Sequence, residues 1–153
     1  MGIKKYFPIL LDLEKKDILV VGGGKIAYRK IKTLLNYGAE IEVITPQIVE
    51  DKIRLLFEEK KINLTLRKFE DSDIENRFLV VGATNDKELN RKIYELGDSK
   101  NILVNNITTK EDLNARFCAV HRGEDFQVAV STDEGDPKRA LELKKQIEKS
   151  LEK

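Results

Sequence analysis

The sequence predicts an α/β protein built on a doubly wound parallel sheet, followed by a hairpin and one helix. Uncharged apolar runs at 18–21 and 78–81 are typical of strands that are buried on both faces. Strand patterns alternate with helix-period patterns up to residue 105, and a glycine-rich turn joins the first long strand directly to a helix. These features predict parallel strands connected by helices on both faces of one sheet.

The elements can be placed in order from their periodicity. The predicted strands cover residues 18–21, 41–44, 62–67, 78–83 and 102–105, and helical spacing covers residues 26–35, 48–57 and 87–96. One more helix is expected between the third and fourth strands. Gly38 stands where the first helix ends. Apolar and polar residues alternate in the third strand, which predicts a half-exposed strand near an edge of the sheet.

The glycine-rich turn reads Gly22-x-Gly24-x-x-Ala27. A dinucleotide diphosphate needs a tight turn at the first glycine and a missing side chain at the second, so that backbone N–H groups approach the phosphates. A small third residue lets the helix pack against the strand. The same three residues also suit a tight turn that binds nothing, but the alternating pattern around them favours dinucleotide binding.

Composition excludes several classes of function. The chain has 153 residues, 28 Lys and Arg against 27 Asp and Glu, and a formal net charge of +1, so the basic footprint of a nucleic-acid-binding protein is absent. We expect no membrane partner, because no apolar run approaches the roughly twenty residues of a membrane span. Residues 1–8 lack the pattern of a signal peptide. A single cysteine, Cys118, suits a reducing cytoplasm, and one Cys with one His argues against a zinc site.

Ligands of a doubly wound sheet bind beyond the carboxyl ends of its strands. Four loops meet that description, at 22–26, 45–47, 83–85 and 105–109. The hydroxyls of Thr45 and Thr84 either contact a ligand there or cap the following helices. An acidic residue that would hold the cofactor ribose is missing from the end of the second strand, and no arginine stands there either. We therefore expect NAD rather than NADP, with the ribose held by Thr45 or by backbone groups.

The pattern changes after residue 105. Strand-like runs at 117–120 and 126–130 predict an antiparallel hairpin, and Pro137 is well placed to begin a last helix. Such a segment buries little by itself, so we expect a homodimer. His121 is either a general base or an ordinary surface histidine. Cys118 is expected to be a small core residue.

Motifs spread over nearly the whole chain resemble one family. They are Tyr6-Phe7-Pro8, Leu11-Asp12-Leu13, the run from Val20 to Lys30, the run from Tyr37 to Pro46, the run from Val81 to Asn90, Ile102-Leu103-Val104-Asn105, Arg122-Gly123 and the run from Val128 to Thr132. In this order they resemble the N-terminal module of siroheme synthase and the stand-alone precorrin-2 dehydrogenases.

The resemblance implies oxidation of the tetrapyrrole precorrin-2 to sirohydrochlorin by NAD+, in siroheme or cobalamin synthesis. It implies a Rossmann-like NAD-binding domain at 1–112 and, at 113–153, a dimerisation hairpin with a shortened helical segment. The cofactor-binding residues carried over or expected are Gly22, Gly23, Gly24, Lys25, Ile26, Thr45, Pro46, Gln47, Ala83 and Thr84. The expected substrate-binding residues are Asn105, Arg116, His121, Ser131 and Thr132. Ser131 and Thr132 are also compatible with a role in capping the loop that follows them.

Two departures from the family pattern bear on catalysis. Family members usually have an aspartate where this chain has Thr108, and that aspartate is credited with proton removal and metal handling. Threonine is neither a base near neutral pH nor a good iron ligand. The glycine-rich loop after Thr132 carries added carboxylates here. The sequence therefore argues against ferrochelatase activity, identifies no catalytic residue and predicts no metal ligand. The alternative is a catalytically impaired relative that binds a dinucleotide or tetrapyrrole as a partner or sensor.

Overall fold

The computed structural model describes residues 5–152. The chain divides into two compact units, one made of residues 10–115 and the other of residues 1–9 with 116–153. Residues 1–4 and 153, which the predicted domain ranges include, lie outside the described residues. The predicted functional boundary at residue 112 stays a prediction.

The unit at 10–115 is a parallel sheet with helices, as predicted. Its strands are β1 (Asp17–Val21), β2 (Glu40–Thr45), β3 (Asn63–Leu66), β4 (Leu79–Gly82) and β5 (Leu103–Asn106), in the order β3-β2-β1-β4-β5. Its α-helices are α1 (Lys25–Leu35), α2 (Asp51–Glu58) and α3 (Lys87–Ser99). All four strand pairs within it are parallel. The third strand lies at the edge, so that prediction is confirmed.

The central strands are apolar because helices or loops cover both faces of the sheet. Ile18, Leu19 and Val20 are completely buried in β1. Ala27, Ile31 and Leu34 form the buried side of α1, and Ile93 forms part of that of α3. In α3, Gly97 allows close packing, because a Cβ there would lie 2.3 Å from Val104 Cγ2. The sheet therefore holds the carboxyl ends of its strands in a fixed array.

The helix expected between the third and fourth strands is reduced to one short 3₁₀ helix, Asp71–Ile74. Charged residues dominate this connection, which leaves too few apolar side chains for a helix to bury. Arg67 instead holds Asp73 through two hydrogen bonds of 2.8 and 2.6 Å. These bonds lower the pKa of the Asp73 carboxyl. A salt-bridged turn thus replaces the helix.

The second unit contains the predicted hairpin and helix. Strands β6 (Ala119–Arg122) and β7 (Gln127–Val130) are antiparallel, and α4 runs over Pro137–Leu151 with the proline in its first turn. The expectation for Cys118 is wrong, because this residue is exposed. It directly precedes Ala119, the first paired residue of β6, in a unit whose described residues include one buried apolar side chain, Ala140.

Candidate functional site

Three loops at the carboxyl ends of β1, β2 and β4 meet at the glycine turn. Gly22 has φ +133°, and a Cβ there would lie 2.3 Å from the backbone oxygen of Ala83. A Cβ on Gly23 would lie 2.4 Å from the backbone oxygen of Gln47. The first two glycines are therefore required by the close approach of neighbouring backbone, which brings the three loops together.

The third glycine has a different surrounding. Gly24 is the N-cap residue of α1 with extended backbone, and a Cβ there would meet no described atom within 4 Å. In the described part of the chain, no side chain caps α1 and its first turn contains no acidic residue. The amino-terminal N–H groups of α1 therefore lack a side-chain cap and have open space beside them at Gly24, which is an arrangement that a diphosphate fits.

The loop after β2 is fastened to the glycine turn by backbone. The N–H groups of Val49 and Glu50 both donate to the carbonyl oxygen of Gly23 at 2.9 Å. Thr45 is buried, and its hydroxyl donates to the carbonyl oxygen of Gln47 at 2.7 Å. Thr45 does not cap α2, since the carboxylate of Glu50 does so. The hydroxyl of Thr45 shapes the loop, while Pro46 and Gln47 are exposed beside it.

The loop after β4 is closed by side chains. Asp86 caps α3 by accepting hydrogen bonds from the N–H groups of Glu88 and Leu89 at 3.0 and 3.1 Å. Thr84 is therefore not the cap either. Its hydroxyl accepts from the N–H of Asp86 at 3.1 Å and lies 2.8 Å from Asn90 Oδ1. Neither Thr45 nor Thr84 therefore caps the helix that follows it, which was the alternative to a ligand contact.

Two asparagines end β5, and each has one polar atom without a partner. Asn105 donates through Nδ2 to the carbonyl oxygen of Ala115 at 2.9 Å, and its Oδ1 has no partner among residues 5–152. Asn106 accepts through Oδ1 from the N–H of Thr108 at 2.8 Å, and its Nδ2 likewise has no partner in that range. Because a carbonyl only accepts and an N–H only donates, both amide orientations are fixed.

The hydroxyl of Thr108 is engaged within the chain. It donates to Asn106 Oδ1 at 2.8 Å, and Asn90 Nδ2 lies 3.5 Å from it. A neutral hydroxyl in these contacts offers no basic group. In residues 5–152, no group of three or more His, Cys, Asp or Glu side chains is arranged to hold a metal ion.

The predicted substrate residues of the second unit are also held by local contacts. Arg116 stacks on the ring of Tyr6 at 4.1 Å and donates to the carbonyl oxygen of Thr132 at 3.0 Å. The hydroxyl of Thr132 accepts from the N–H of Asp136 at 2.7 Å, so Thr132 fastens the loop before α4. Ser131 is exposed.

His121 is neither isolated nor fully exposed. Its Nδ1 lies 2.9 Å from Glu148 Oε1, and 26% of its side chain is exposed. The hydrogen bond from His121 and then that from Lys144 lower the pKa of Glu148. His121 thus joins β6 to α4.

The structure therefore brings the ten predicted cofactor residues to one edge of the sheet, at the ends of β1, β2 and β4. Asn105 lies at the same edge, whereas Arg116, His121, Ser131 and Thr132 belong to the second unit. Sequence reasoning gave no role to Asn90 or Asn106. A signal for Asn90 was present, because it is an amide at a position of α3 that otherwise requires an apolar residue.

The fold, the glycine turn and the uncapped start of α1 define a dinucleotide-binding domain of the Rossmann type. Residues 9–119 match the model of a family described as putative NAD(P)-binding. The chain is 32% identical over 145 residues to the precorrin-2 dehydrogenase of Bacillus subtilis, covering 95% of this chain and 88% of that protein. The chain belongs to the precorrin-2 dehydrogenase family.

Two further comparisons agree with this assignment. A siroheme synthase of Mannheimia succiniciproducens is 36% identical over 146 residues, which cover 95% of this chain and 30% of that protein. The solved structure of SirC, a precorrin-2 dehydrogenase, superposes with a TM-score of 0.83 at 30% identity, covering 95% of this chain and 71% of that one. The chain spans 25–30% of the length of the first siroheme-synthesis relatives it matches.

Described residues include no helix with the length and apolar character needed to cross a membrane.

Proposed function

We propose that this chain oxidises precorrin-2 to sirohydrochlorin with NAD+ as the electron acceptor. The observation that carries the proposal is the amino terminus of α1, which no side chain of the described residues caps and which has open space beside Gly24. A bound dinucleotide supplies the hydride acceptor for a two-electron oxidation that also releases a proton. The remaining chemistry consists of binding and orientation by the residues of this chain.

Each part of the cofactor has a proposed set of contacts. Gly22, Gly23, Gly24, Lys25 and Ile26 hold the diphosphate through the turn and the start of α1. Thr45, Pro46 and Gln47 lie beside the adenosine ribose, and Ala83 and Thr84 beside the nicotinamide. The order β3-β2-β1-β4-β5 supports this assignment, because α1 follows β1 at the centre, with β2 on one side and β4 on the other.

NAD is favoured over NADP by the charge of the loop after β2. Residues 45–50 contain no cation, and Glu50 adds a carboxylate. The backbone N–H of Glu50 donates to the carbonyl oxygen of Gly23, which holds this residue beside the glycine turn. A ribose 2′-phosphate needs a cation to balance its charge and would be repelled by Glu50. Replacing Glu50 with Gln should therefore raise the affinity for NADP+ relative to that for NAD+, as measured by calorimetry.

Thr108 offers no basic group, so the proton released in the oxidation passes to solvent water, and the chain promotes the hydride transfer to NAD+. The engaged hydroxyl of Thr108 also offers no ligand for iron. These contacts support a dehydrogenase without ferrochelatase activity.

We propose precorrin-2 contacts in each unit taken by itself, beginning with Asn105 in the unit at 10–115. The unpaired Oδ1 of Asn105 accepts a hydrogen bond from the substrate. Arg116, His121, Ser131 and Thr132 contribute donors and positive charge, which an anionic tetrapyrrole requires. The second unit also offers further cations, which are Arg122, Lys138 and Arg139.

A second copy of the chain is the proposed partner, and the cytoplasm the proposed location. Among the described residues of the second unit, Ala140 is the one apolar residue that is buried. Phe7, Phe126, Leu141 and Leu151 are exposed on that unit, at 84%, 45%, 44% and 49%. A unit that buries so little requires another apolar surface to be stable. Light scattering should give the mass of a dimer.

The direct test mixes the purified protein with NAD+ and precorrin-2 and follows the absorbance of sirohydrochlorin. The proposal predicts that product and NADH appear in equal amounts. If NAD+ binds and precorrin-2 is not oxidised, the proposed reaction is wrong.

The contacts of Thr108 favour one second candidate, a relative that binds a dinucleotide or tetrapyrrole without turnover. Under that function, replacing Thr108 with Asp should create activity that the natural chain lacks. Activity in the natural chain that Thr108→Asp leaves unchanged would contradict it.

A further inference from the structure

Asn90 is an amide at a position of α3 that faces the core. It is completely buried, and Ile93 and Gly97 share its side of the helix. A buried amide is unfavourable unless it is hydrogen-bonded, and asparagine is a poor helix former. Gly82 of β4 leaves room for it, because a Cβ there would lie 3.4 Å from Asn90 Oδ1. A polar side chain therefore occupies a buried position of α3 at which an apolar side chain would be expected.

The amide of Asn90 holds Thr84 at three points. Asn90 Oδ1 lies 3.2 Å from the N–H of Thr84 and 2.8 Å from its hydroxyl, and Asn90 Nδ2 donates to the carbonyl oxygen of Thr84 at 2.9 Å. The amide orientation is fixed, since the N–H of Thr84 only donates and its carbonyl only accepts. Asn90 is not needed to cap α3, because Asp86 already does so.

The same amide reaches the loop after β5. Asn90 Nδ2 lies 3.5 Å from the hydroxyl of Thr108, which donates to Asn106 Oδ1 at 2.8 Å. Asn106 pairs with Gly82 in the parallel sheet, directly before the Thr84 loop. One chain of polar contacts therefore runs from the loop after β4 to the loop after β5, with Asn90 at its centre.

We propose that Asn90 is a positioning residue, which fixes the Thr84 loop so that it receives the nicotinamide half of the cofactor. This inference rests on the proposed function, which assigns Ala83 and Thr84 to the nicotinamide. The diphosphate half is held by the start of α1, and none of the side-chain hydrogen bonds of Asn90 described above reaches that helix. Loss of Asn90 therefore weakens one half of the dinucleotide site and leaves the other intact.

The test compares NAD+ with ADP-ribose, which lacks the nicotinamide ring. Calorimetry gives both dissociation constants for the natural protein, Asn90→Leu and Asn90→Asp. For Asn90→Leu we expect the ratio of the NAD+ constant to the ADP-ribose constant to rise about tenfold, with ADP-ribose binding within twofold of the natural protein. Asn90→Asp keeps the acceptor for Thr84, so its ratio should rise less.

Thermal unfolding separates positioning from general stability. Leucine is apolar and a better helix former, whereas a buried carboxylate lacks a cation to pair with. Asn90→Asp should therefore lower Tm more than Asn90→Leu, which is the reverse of their order in the binding ratio. A shared order in both measurements would contradict the proposal.

Asn114→Leu is the matched control. Asn114 is also a hydrogen-bonded asparagine, which accepts from the N–H of Val104 at 2.6 Å near the amino end of β5. Its replacement should lower Tm and leave both dissociation constants unchanged. Thr84→Val provides a second variant outside the core. It removes the hydroxyl contacts with both Asn90 and Asp86, and its ratio should also rise.

The outcomes distinguish the two claims. A natural protein that binds neither ligand contradicts the proposed function, and the inference is then wrong with it. If the natural protein binds both ligands with equal affinity, or if the Asn90 variants leave the ratio unchanged or weaken both ligands equally, only the positioning role is contradicted.

Discussion

Helices α1 and α3 both begin at the carboxyl ends of central parallel strands, but their first turns differ. The N-cap of α1 is Gly24, and within the described residues no side chain caps it. The N-cap of α3 is Asp86, whose carboxylate accepts from two N–H groups of the first turn. Since the Asp86 carboxylate occupies two of the N–H groups that would bind an anion and adds a negative charge, the start of α1 suits a phosphate better than the start of α3 does.

The bodies of the two helices differ as well. Lys30 of α1 is partly buried, and this burial lowers its pKa to about 8. Asn90 of α3 is completely buried and fixes the neighbouring loop. The comparison shows that adjacent, similarly built βα units differ, since one begins with an uncapped helix and the other borders a loop closed by side-chain hydrogen bonds.

The largest expected effect comes from Gly22, which makes the open turn possible. Gly22→Ala combines φ +133° with a Cβ 2.3 Å from the carbonyl oxygen of Ala83. We expect the free energy of unfolding to fall by about 3 kcal/mol, measured by urea denaturation. Gly24→Ala is the control, because its Cβ meets open space. A loss below about 1 kcal/mol for Gly22→Ala would contradict the required conformation.

The next prediction converts α1 into a helix that begins like α3. Gly24→Asp adds a carboxylate cap to an extended residue with free space around it. Stability should rise by about a few tenths of a kcal/mol, while the affinity for NAD+ should fall about 100-fold through charge repulsion and occupied N–H groups.

Gly24→Asn separates these two causes, since it caps the helix without a charge. Its affinity should lie between those of the natural protein and Gly24→Asp in the same calorimetric titration. Unchanged NAD+ binding in Gly24→Asp would show that the diphosphate lies elsewhere.

The reciprocal change opens the first turn of α3. Asp86→Ala removes the acceptor for the N–H groups of Glu88 and Leu89. We expect a loss of about 1 kcal/mol in the free energy of unfolding, with NAD+ affinity unchanged. A decrease in NAD+ affinity of more than threefold would mean that α3 also contacts the cofactor.

The last prediction concerns the pH dependence of stability at Lys30. Its pKa of about 8 lies below the ordinary value of 10.5, so between these two pH values the unfolded chain binds more protons than the folded one. The charged form of Lys30 destabilises the folded protein, and this cost is lost as the side chain deprotonates. The free energy of unfolding therefore increases as pH rises from about 8 to 10.5. Lys30→Met should remove that part of the slope, as measured by unfolding at several pH values. An identical slope in both proteins would contradict a buried lysine.

Much of the sheet was predictable because apolar runs and turn residues are local signals. The edge position of the third strand followed from the alternation of Ile62, Leu64 and Leu66. The absence of an α-helix before β4 was not predicted. A helix was expected there from the regular βαβ order, although the charged residues of this connection do not form an apolar helix face. Cys118 was assigned to the core from its residue type, which gave no information about how few apolar side chains its unit buries.

The site was predictable where backbone geometry determines the residue. Gly22 and Gly23 occupy positions at which a Cβ would overlap a neighbouring loop. The roles of Thr45 and Thr84 were left open. Capping depends on the position of the first helical residue, and the sequence defines that position only to within one or two residues. Asn90 was missed as a separate contributor, since its contacts with Thr84 and Thr108 join loops that are distant in sequence.

The comparison between α1 and α3 can be tested directly by following backbone amide signals in an NMR titration with NAD+. We predict that the signals of Lys25, Ile26 and Ala27 shift strongly and that those of Glu88 and Leu89, bound to Asp86, change little. ADP should reproduce the shifts in α1, because it carries the diphosphate. Shifts confined to α3, or no shift at the start of α1 at saturating NAD+, would contradict the account.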